Sequence, residues 1–418
     1  MNPTITIIGA GISGLSAGLH LHRKGFNIKI IEASDRVGGR IKTDIVNGYR
    51  LDRGFQVLLT AYPEAKRLLD YDALQLKTFL PGATVLYDGG QFEIADPFRR
   101  PSALLATAFA PVGSLKDKFN TFILKNKLIA KSVEEIFTQP QKSSVEQLKD
   151  YGFSSKMINR FFKPFFSGIF LENNLSTANR MFDFVMKMFS EGDAAIPALG
   201  MEEIPKQLAS QLPAACFTFN TKVEDIKGNT IYTSSGAEIQ SDIIIIATEA
   251  IELISKFKSS VETKHHSVTN VYFEETVAPT NKAVVILNAS AKDKIVNNVT
   301  VMTNVSKAYA PAGKVLISVS CNGIFDTTDE ELAQKIKTEL QPWFGNQVAN
   351  WSHLKTYKVN YALPNLAVLK DDLTATDMKI NDTLYCCGDH LMNGSINAAM
   401  KSGRLLADLI VKEKSSTI

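Results

Sequence analysis

The alternation of apolar and polar positions opens on a strand covered on both sides. Ile5, Ile7 and Ile8 are too uniformly apolar for one face of a surface hairpin. Ile12, Leu15 and Leu19 then fall on one side of a helix, with Gly25 placed to stop it. A second apolar strand runs from Asn27 to Ile31. Farther on, Ala61 to Leu69 reads as an amphipathic helix, and Ala83 to Tyr87 and Gln91 to Ile94 read as strands. Ser102 to Gln147 is a helical region rich in Leu, Phe, Ala and Lys, broken at Pro111 and Pro140. Near Ile196 the chain is expected to return to its first unit, with a helix from Gly200 to Leu212. Phe217 to Ile226, Thr230 to Thr233 and Glu238 to Ile246 read as three strands turning at Gly228 and Gly236. Lys282 to Leu287 and Lys314 to Ser320 read as strands, and Thr328 to Leu340 as a charged amphipathic helix. Thr383 to Cys387 is a strand that runs into Gly388-Asp389, and a helix starts from the Asn393 stretch.

The turn between the first strand and helix carries Gly9, Gly11 and Gly14, the G-x-G-x-x-G spacing. Alone that spacing is a weak signal. Here a strand precedes it, a helix follows, and Glu32 closes the second strand, which is the context of a dinucleotide site. Gly9 permits the tight turn, Gly11 lets a pyrophosphate approach the backbone, and Gly14 lets the helix lie close on the strand. The helix start offers N–H groups and a positive dipole end to phosphate. Glu32 is placed to accept hydrogen bonds from ribose hydroxyls, and its charge disfavours a 2′-phosphate.

Size and composition narrow the field. The chain has 418 residues, 45% hydrophobic and 21% charged, with a formal net charge of +3, so it lacks the basic signature of a nucleic-acid binder. The opening residues go straight into a strand without a basic, then apolar, leader, and no apolar run has the length of a membrane span. A soluble, cytoplasmic protein is the expectation. Cys216, Cys321, Cys386 and Cys387 have no metal-ligand spacing, so no metal is expected, and the last two read as buried thiols rather than a flavin tether.

GAGISGLSAG, Glu32 and Asp35-Arg36-Val37-Gly38-Gly39-Arg40 together resemble the superfamily of flavin-containing amine oxidases, protoporphyrinogen oxidases and phytoene desaturases. That resemblance implies non-covalent FAD. It also implies an α/β fold: a Rossmann-type FAD-binding domain, mostly parallel sheet with helices, and an α+β substrate domain. Both would be built from discontinuous segments, 1–75, 196–250 and 381–418 for FAD, 76–195 and 251–380 for substrate. In the family the Gly-Gly-Arg turn runs back over the pyrophosphate. Carried over, the N-terminal cofactor set is Gly9, Gly11, Ile12, Ser13 and Gly14, then Glu32, Ala33 and Arg36, then Gly38, Gly39, Arg40 and Gln56. The stretch Gly48 to Gln56 resembles one in which an aspartate and glycine precede residues near the flavin ring; its plain alternative is a loop and strand with Asp52 as a cap. Val223 would touch the adenine through its backbone. Tyr361-Ala362-Leu363-Pro364 loosely resembles a stretch near the flavin face. Gly388-Asp389, followed by Gly394-Ser395 and small residues at Ala399, Gly403 and Ala407, resembles the family's closing motif, adding Gly388, Asp389, Ser395, Ile396 and Ala399. Asn397-Ala398 stands where the family often has glycine before alanine.

The flavin would carry the redox chemistry by accepting a hydride at N5. No H-E-x-x-H, P-loop or second G-x-G-x-x-G offers another reaction system. His265-His266 read as a solvated pair, and His390 as structural or near the ring. Lys282 and Lys314 lie on strands, but neither is marked as the lysine that family amine oxidases place by the flavin, so catalytic residues stay unassigned. Phe161 to Phe170 reads first as cap core, second as the lining of a pocket for a small apolar substrate, third as a surface resting on a membrane. The resulting expectation is an oxidoreductase acting on an apolar, terpenoid- or carotenoid-like substrate. An amine oxidase, a flavin-dependent sugar-nucleotide mutase and a non-catalytic flavin-binding protein are the alternatives.

Overall fold

The computed structural model describes residues 3–96, 99–249, 253–259, 264–290 and 294–415; the expected segment limits at 1, 250, 251 and 418 lie outside them. The chain begins β1 (Thr4–Ile8), α1 (Ile12–Arg23) and β2 (Asn27–Ile31), then passes a hairpin of Thr43–Val46 and Tyr49–Asp52. It crosses to β3 (Ala83–Tyr87) and β4 (Gly90–Ile94) and enters a helical layer. The main helices there are α2 (Leu104–Phe109), α3 (Leu115–Ile129), α4 (Lys163–Phe170) and α5 (Asn179–Glu191). It returns through β5 (Phe217–Thr218) and β6 (Ile243–Ile246). A second excursion follows, through β7 (His265–Glu275), β8 (Val285–Asn288), β9 (Asn298–Val301), β10 (Val315–Asn322), α6 (Asp329–Phe344) and β11 (Ser352–Pro364). The last elements are β12 (Leu384–Cys386) and α7 (Ile396–Ser415).

Two sheets carry the architecture. The first has the order β5-β2-β1-β6-β12 with every pair parallel. β1 and β6 are buried on both faces because helices cover one side and a small antiparallel sheet the other; all four residues of β6 are buried. The second sheet, β11-β7-β10-β9-β8-β3-β4, is antiparallel except where β8 meets β3. That one parallel pair joins residues of the first excursion to residues of the second.

Two of the expected strands are split. The apolar run from Phe217 to Ile226 breaks at Asn220, whose φ of 52° is left-handed, a conformation that asparagine tolerates. Phe217–Thr218 therefore extends the parallel sheet, while Val223–Lys227 pairs with Thr230–Thr233 in a separate sheet. The run from Glu238 to Ile246 breaks at Ser241-Asp242. There Asp242 Oδ2 accepts the Thr4 N–H at 2.8 Å, and the Ser241 hydroxyl donates to the Ile243 carbonyl at 2.8 Å. The breaks fall in the short polar stretches Asn220-Thr221-Lys222 and Gln240-Ser241-Asp242, which the strand readings ran through. The helix expected to reach Leu212 is Glu203–Ala209.

The two ends of the chain meet where α7 crosses α1. A Cβ placed on Gly403 would lie 2.5 Å from the Ser13 carbonyl oxygen and 2.7 Å from the Ala17 nitrogen, so only glycine allows this approach. Ser16 Oγ locks the crossing by donating to the Met400 carbonyl at 2.7 Å. Gly403→Val should push the helices apart and lower stability by about 1–3 kcal/mol or more. Thermal unfolding of the variant checks this; an unchanged melting temperature would show that the crossing is looser than the geometry indicates.

Candidate functional site

In an open parallel sheet a ligand crevice forms outside the carboxyl ends of the strands, where the connections diverge. Gly9 after β1, Glu32 after β2, Ala247 after β6 and Gly388 after the end of β12 all line one cavity of about 1190 Å³. The same cavity extends past these residues to the helical layer and the face of the second sheet.

Two glycine turns form its floor near β1. Gly11 and Gly38 pair as a short parallel bridge, and the Gly38 N–H donates to the Ala10 carbonyl at 2.9 Å. Gly38 has φ of 124°, and a Cβ there would lie 2.2 Å from the Ile41 carbonyl oxygen. Gly39 stacks so closely that its added Cβ would be 3.2 Å from Gly11 Cα. Ile12 and Ser13 line the cavity at the start of α1, where the first N–H groups have no helical acceptor and suit an anion. Gly14 does not line it. Its Cβ position is 2.1 Å from the Gly9 carbonyl oxygen and 3.2 Å from Ala247 Cβ, so it serves close packing.

Glu32 is held by three donors. Ala10 N–H gives to Oε2 at 2.8 Å, and Ser34 N–H and Oγ give to Oε1 at 2.9 and 2.6 Å. The carboxylate is thus oriented before any ligand binds, beside Ala33, which also lines the cavity. Arg36 is not part of the lining. Its guanidinium binds Glu202 at 2.5 Å and Asp44 at 2.6 Å; burial opposes its charge, but these partners override that and raise its pKa. Gln56 lines the cavity, and its buried Oε1 has no hydrogen-bond partner. Val223 lines it as well.

The opposite wall comes from the C-terminus. Arg40 Nη2 binds Asp389 Oδ1 at 2.5 Å, and Nη1 donates to the Ala362 carbonyl at 3.2 Å. Burial works against a charged Asp389, but Arg40 outweighs it and holds the carboxyl below its ordinary value. Ser395 Oγ accepts the Ala398 N–H at 3.0 Å and caps α7, whose first turn lines the cavity at Ile396 and Ala399. His390 is buried at the cavity edge with Nε2 unpartnered. Burial lowers its pKa to about 4, so its imidazole is neutral near pH 7.

Several other expectations change. Asp52 neither caps a turn nor lines the cavity. It is buried, accepts from Thr43 Oγ1 at 2.5 Å, Met201 N–H at 3.0 Å and Tyr309 OH at 2.8 Å, and burial pushes its pKa up to about 6. Periodicity gave no sign of these partners, which are far off in sequence; Phe55 and Gln56 beside it do line the cavity. His265 and His266 are half-buried rather than solvated, paired with Pro364 and Leu363 of β11, and burial lowers the His266 pKa. Lys282 binds Glu93 at 2.5 Å outside the cavity, and Lys314 is exposed and also outside it. Phe161 to Phe170 divides by face. Phe162, Phe166 and Phe170 are fully buried, whereas Phe161, Phe165 and Ile169 line the cavity, so the stretch is both cap core and wall, not a membrane face. The wall contributed by the second sheet, such as Val285, Leu287 and Asn298, carried no sequence signal because it depends on distant strand pairing.

The glycine cradle, the open helix start, the oriented Glu32 carboxylate and the unpartnered Gln56 Oε1 fit a flavin dinucleotide. Among known proteins, the family model for flavin containing amine oxidoreductase matches residues 12–411. Protoporphyrinogen oxidase 2 of Arabidopsis thaliana is 26% identical over 166 residues, covering 39% of this chain and 32% of that protein. The 1-hydroxycarotenoid 3,4-desaturase of a Flavobacterium is 26% identical over 188 residues, 42% of this chain and 35% of its own length. The matched segments thus span about a third of each of these relatives. Cyclohexylamine oxidase of Brevibacterium oxydans shares the fold, with a TM-score of 0.69 at 15% identity over 99% of this chain and 100% of that one.

Two measurements bear on this geometry. Glu32→Ala removes charge-assisted hydrogen bonds that contribute about 1.5–3 kcal/mol, so FAD affinity should fall at least about tenfold in titrations of apoprotein. Unchanged affinity would remove Glu32 as a ribose ligand. For His390, the unfolded chain takes up a proton below pH 6.5 while the folded chain resists until about pH 4. Stability therefore falls as pH drops through that window, by about 2 kcal/mol between pH 7 and 5 from this group. Urea unfolding of the apoprotein should show that loss in the wild type beyond the loss in His390→Asn; equal losses would mean that His390 is not held neutral.

Proposed function

The chain belongs to the flavin containing amine oxidoreductase family and is an FAD-dependent oxidoreductase, and from that premise we propose that it dehydrogenates an apolar, terpenoid-like substrate. FAD bound there would supply the electron sink for the dehydrogenation. The residues do the rest. The turns at Gly9–Gly11 and Gly38–Arg40 hold the dinucleotide, Glu32 its ribose, and the Arg40–Asp389 pair closes the wall beside Ile396. Cys386 and Cys387 are buried and outside the cavity lining, which supports non-covalent binding.

The observation that carries the substrate reading is the character of the cavity beyond the dinucleotide end. Phe161, Phe165, Ile169, Val185, Val285 and Leu287 wall it. The Phe161 and Phe165 rings stack on one another, with centroids 5.7 Å apart, and both line the cavity. None of the lining residues on the second sheet is a lysine, and Asn298 faces Ser320 across β9 and β10 as a polar spot in that wall. The carboxylates lining the cap end, Asp96 and Asp193, are bound by Lys125 and Arg99, an arrangement poor at holding a cationic amine. Apolar walls bind by removing surface from water, which favours a hydrocarbon chain over a charged one.

Anaerobic bleaching of the flavin by a panel of polyprenyl or polyene compounds, amines and sugar nucleotides, followed by product analysis, tests the proposal. Bleaching by the apolar compounds with a new double bond in the product is the expected result; bleaching by amines alone would make the protein an amine oxidase. The phenylalanine helix sharpens the test. Phe170→Ala should cost about 3–5 kcal/mol of stability because it empties a packed core site. Phe161→Ala and Phe165→Ala should leave the melting temperature closer to wild type while weakening reduction by the apolar substrate. Equal stability losses at all three positions would put the substrate elsewhere.

A further inference from the structure

Soluble surfaces rarely gather large apolar side chains in one place. Here eight of the fifteen large hydrophobic side chains exposed among the described residues fall between 104 and 129, on α2 and α3. Leu105 is 70% exposed, Phe109 82%, Leu115 74% and Phe119 62%. α2 buries none of its own side chains. On α3, Leu115, Phe119 and Ile123 recur every four residues as one exposed stripe, while Leu124 and Leu128 on another face are buried. The helix is apolar both toward the protein and away from it.

Charge and the cavity converge on the same place. Residues 99–131 contain seven lysines and arginines and one acidic residue, Asp117. That aspartate is buried and accepts from the Ser154 N–H at 2.7 Å; Arg99, Arg100 and Lys125 pair with Asp193, Glu93 and Asp96, and the excess positive charge of the segment lies on Lys116, Lys118, Lys127 and Lys131. Thr107, Lys118, Thr121 and Phe122 from these two helices line the cavity, and Phe122 is 42% exposed, so the cavity reaches the surface beside the stripe.

We propose that α2 and α3 seat the protein on a bilayer surface containing anionic lipid, with the cavity mouth facing the acyl layer. An apolar helix face enters the boundary between headgroups and chains, and flanking lysines meet the lipid phosphates. An apolar substrate then passes from the bilayer into the cavity without crossing water. This last step rests on the substrate reading above; the docking itself does not.

Co-sedimentation of the FAD-loaded protein with vesicles tests the docking. The vesicles are pure phosphatidylcholine or phosphatidylcholine with roughly one third phosphatidylglycerol. The protein should sediment with the anionic vesicles, more weakly with the neutral ones, and less as salt rises from about 0.1 to 0.5 M. Phe109→Ser combined with Phe119→Ser should reduce anionic-vesicle binding by about tenfold. Neither side chain lines the cavity, so flavin content and melting temperature should be retained, and bleaching by detergent-dispersed substrate should persist. Lys116→Glu should also weaken binding. No sedimentation of the wild type, or equal sedimentation of the double variant, overturns the proposal. So does light scattering in which the wild type is a dimer that ignores vesicles and the double variant is a monomer, since the face would then cover a second copy. Failed bleaching with intact docking would strike the substrate reading alone.

Discussion

A partly buried ion pair between Arg40 and Asp389 sets where the rest of the site can be. Removing both charges from water is costly, and such a pair persists only with good geometry and further hydrogen bonds. Arg40 has these in Asp389 and the Ala362 carbonyl. One guanidinium thus ties the N-terminal glycine turns, the C-terminal strand and the end of β11 to a single point. The crossing of α7 over α1 at Gly403 is the steric counterpart, bringing two helix starts to the same cavity. Without these contacts, a chain that leaves the parallel sheet twice would not have to close its ends around one crevice.

The second constraint is the pairing of β8 with β3. It makes one sheet from both excursions and sets its face against the phenylalanine helix α4. The dinucleotide end and the apolar end therefore belong to one cavity although their residues come from every part of the sequence. A redox cofactor and a substrate brought together there would be shielded from bulk water, which limits side reactions of reactive intermediates.

Local chemistry made the dinucleotide end legible. Gly9, Gly38 and Gly39 are required by backbone approach, Gly11 leaves its Cβ position open, Glu32 follows a strand end, and all of them line the cavity. Arg36 shows the limit of that reading: its type and neighbourhood suit a phosphate, yet Glu202 and Asp44 claim it. Those partners are fixed by tertiary structure, as are the groups that donate to Asp52. The strand breaks at Asn220 and Ser241-Asp242 lie in short polar stretches, which a half-exposed strand also carries. The substrate wall was legible only as a dense run of phenylalanines. Which of them face inward depends on a helix with two apolar sides, and that is visible only once the second sheet is packed against it. The exposed apolar stripe on α3 was hidden for the opposite reason, since a membrane-facing residue and a core residue have the same side chain.

The crevice at the strand ends is proposed to hold one FAD per chain by non-covalent contacts. The most direct measurement is the absorption spectrum of the purified protein, before and after denaturation, with quantitation of the released flavin. The account predicts a flavin spectrum in the native protein and, after denaturation and filtration, about one intact FAD per chain in the filtrate with none left on the polypeptide. A colourless protein that cannot be reconstituted with FAD, or flavin that stays attached to the denatured chain, would contradict it.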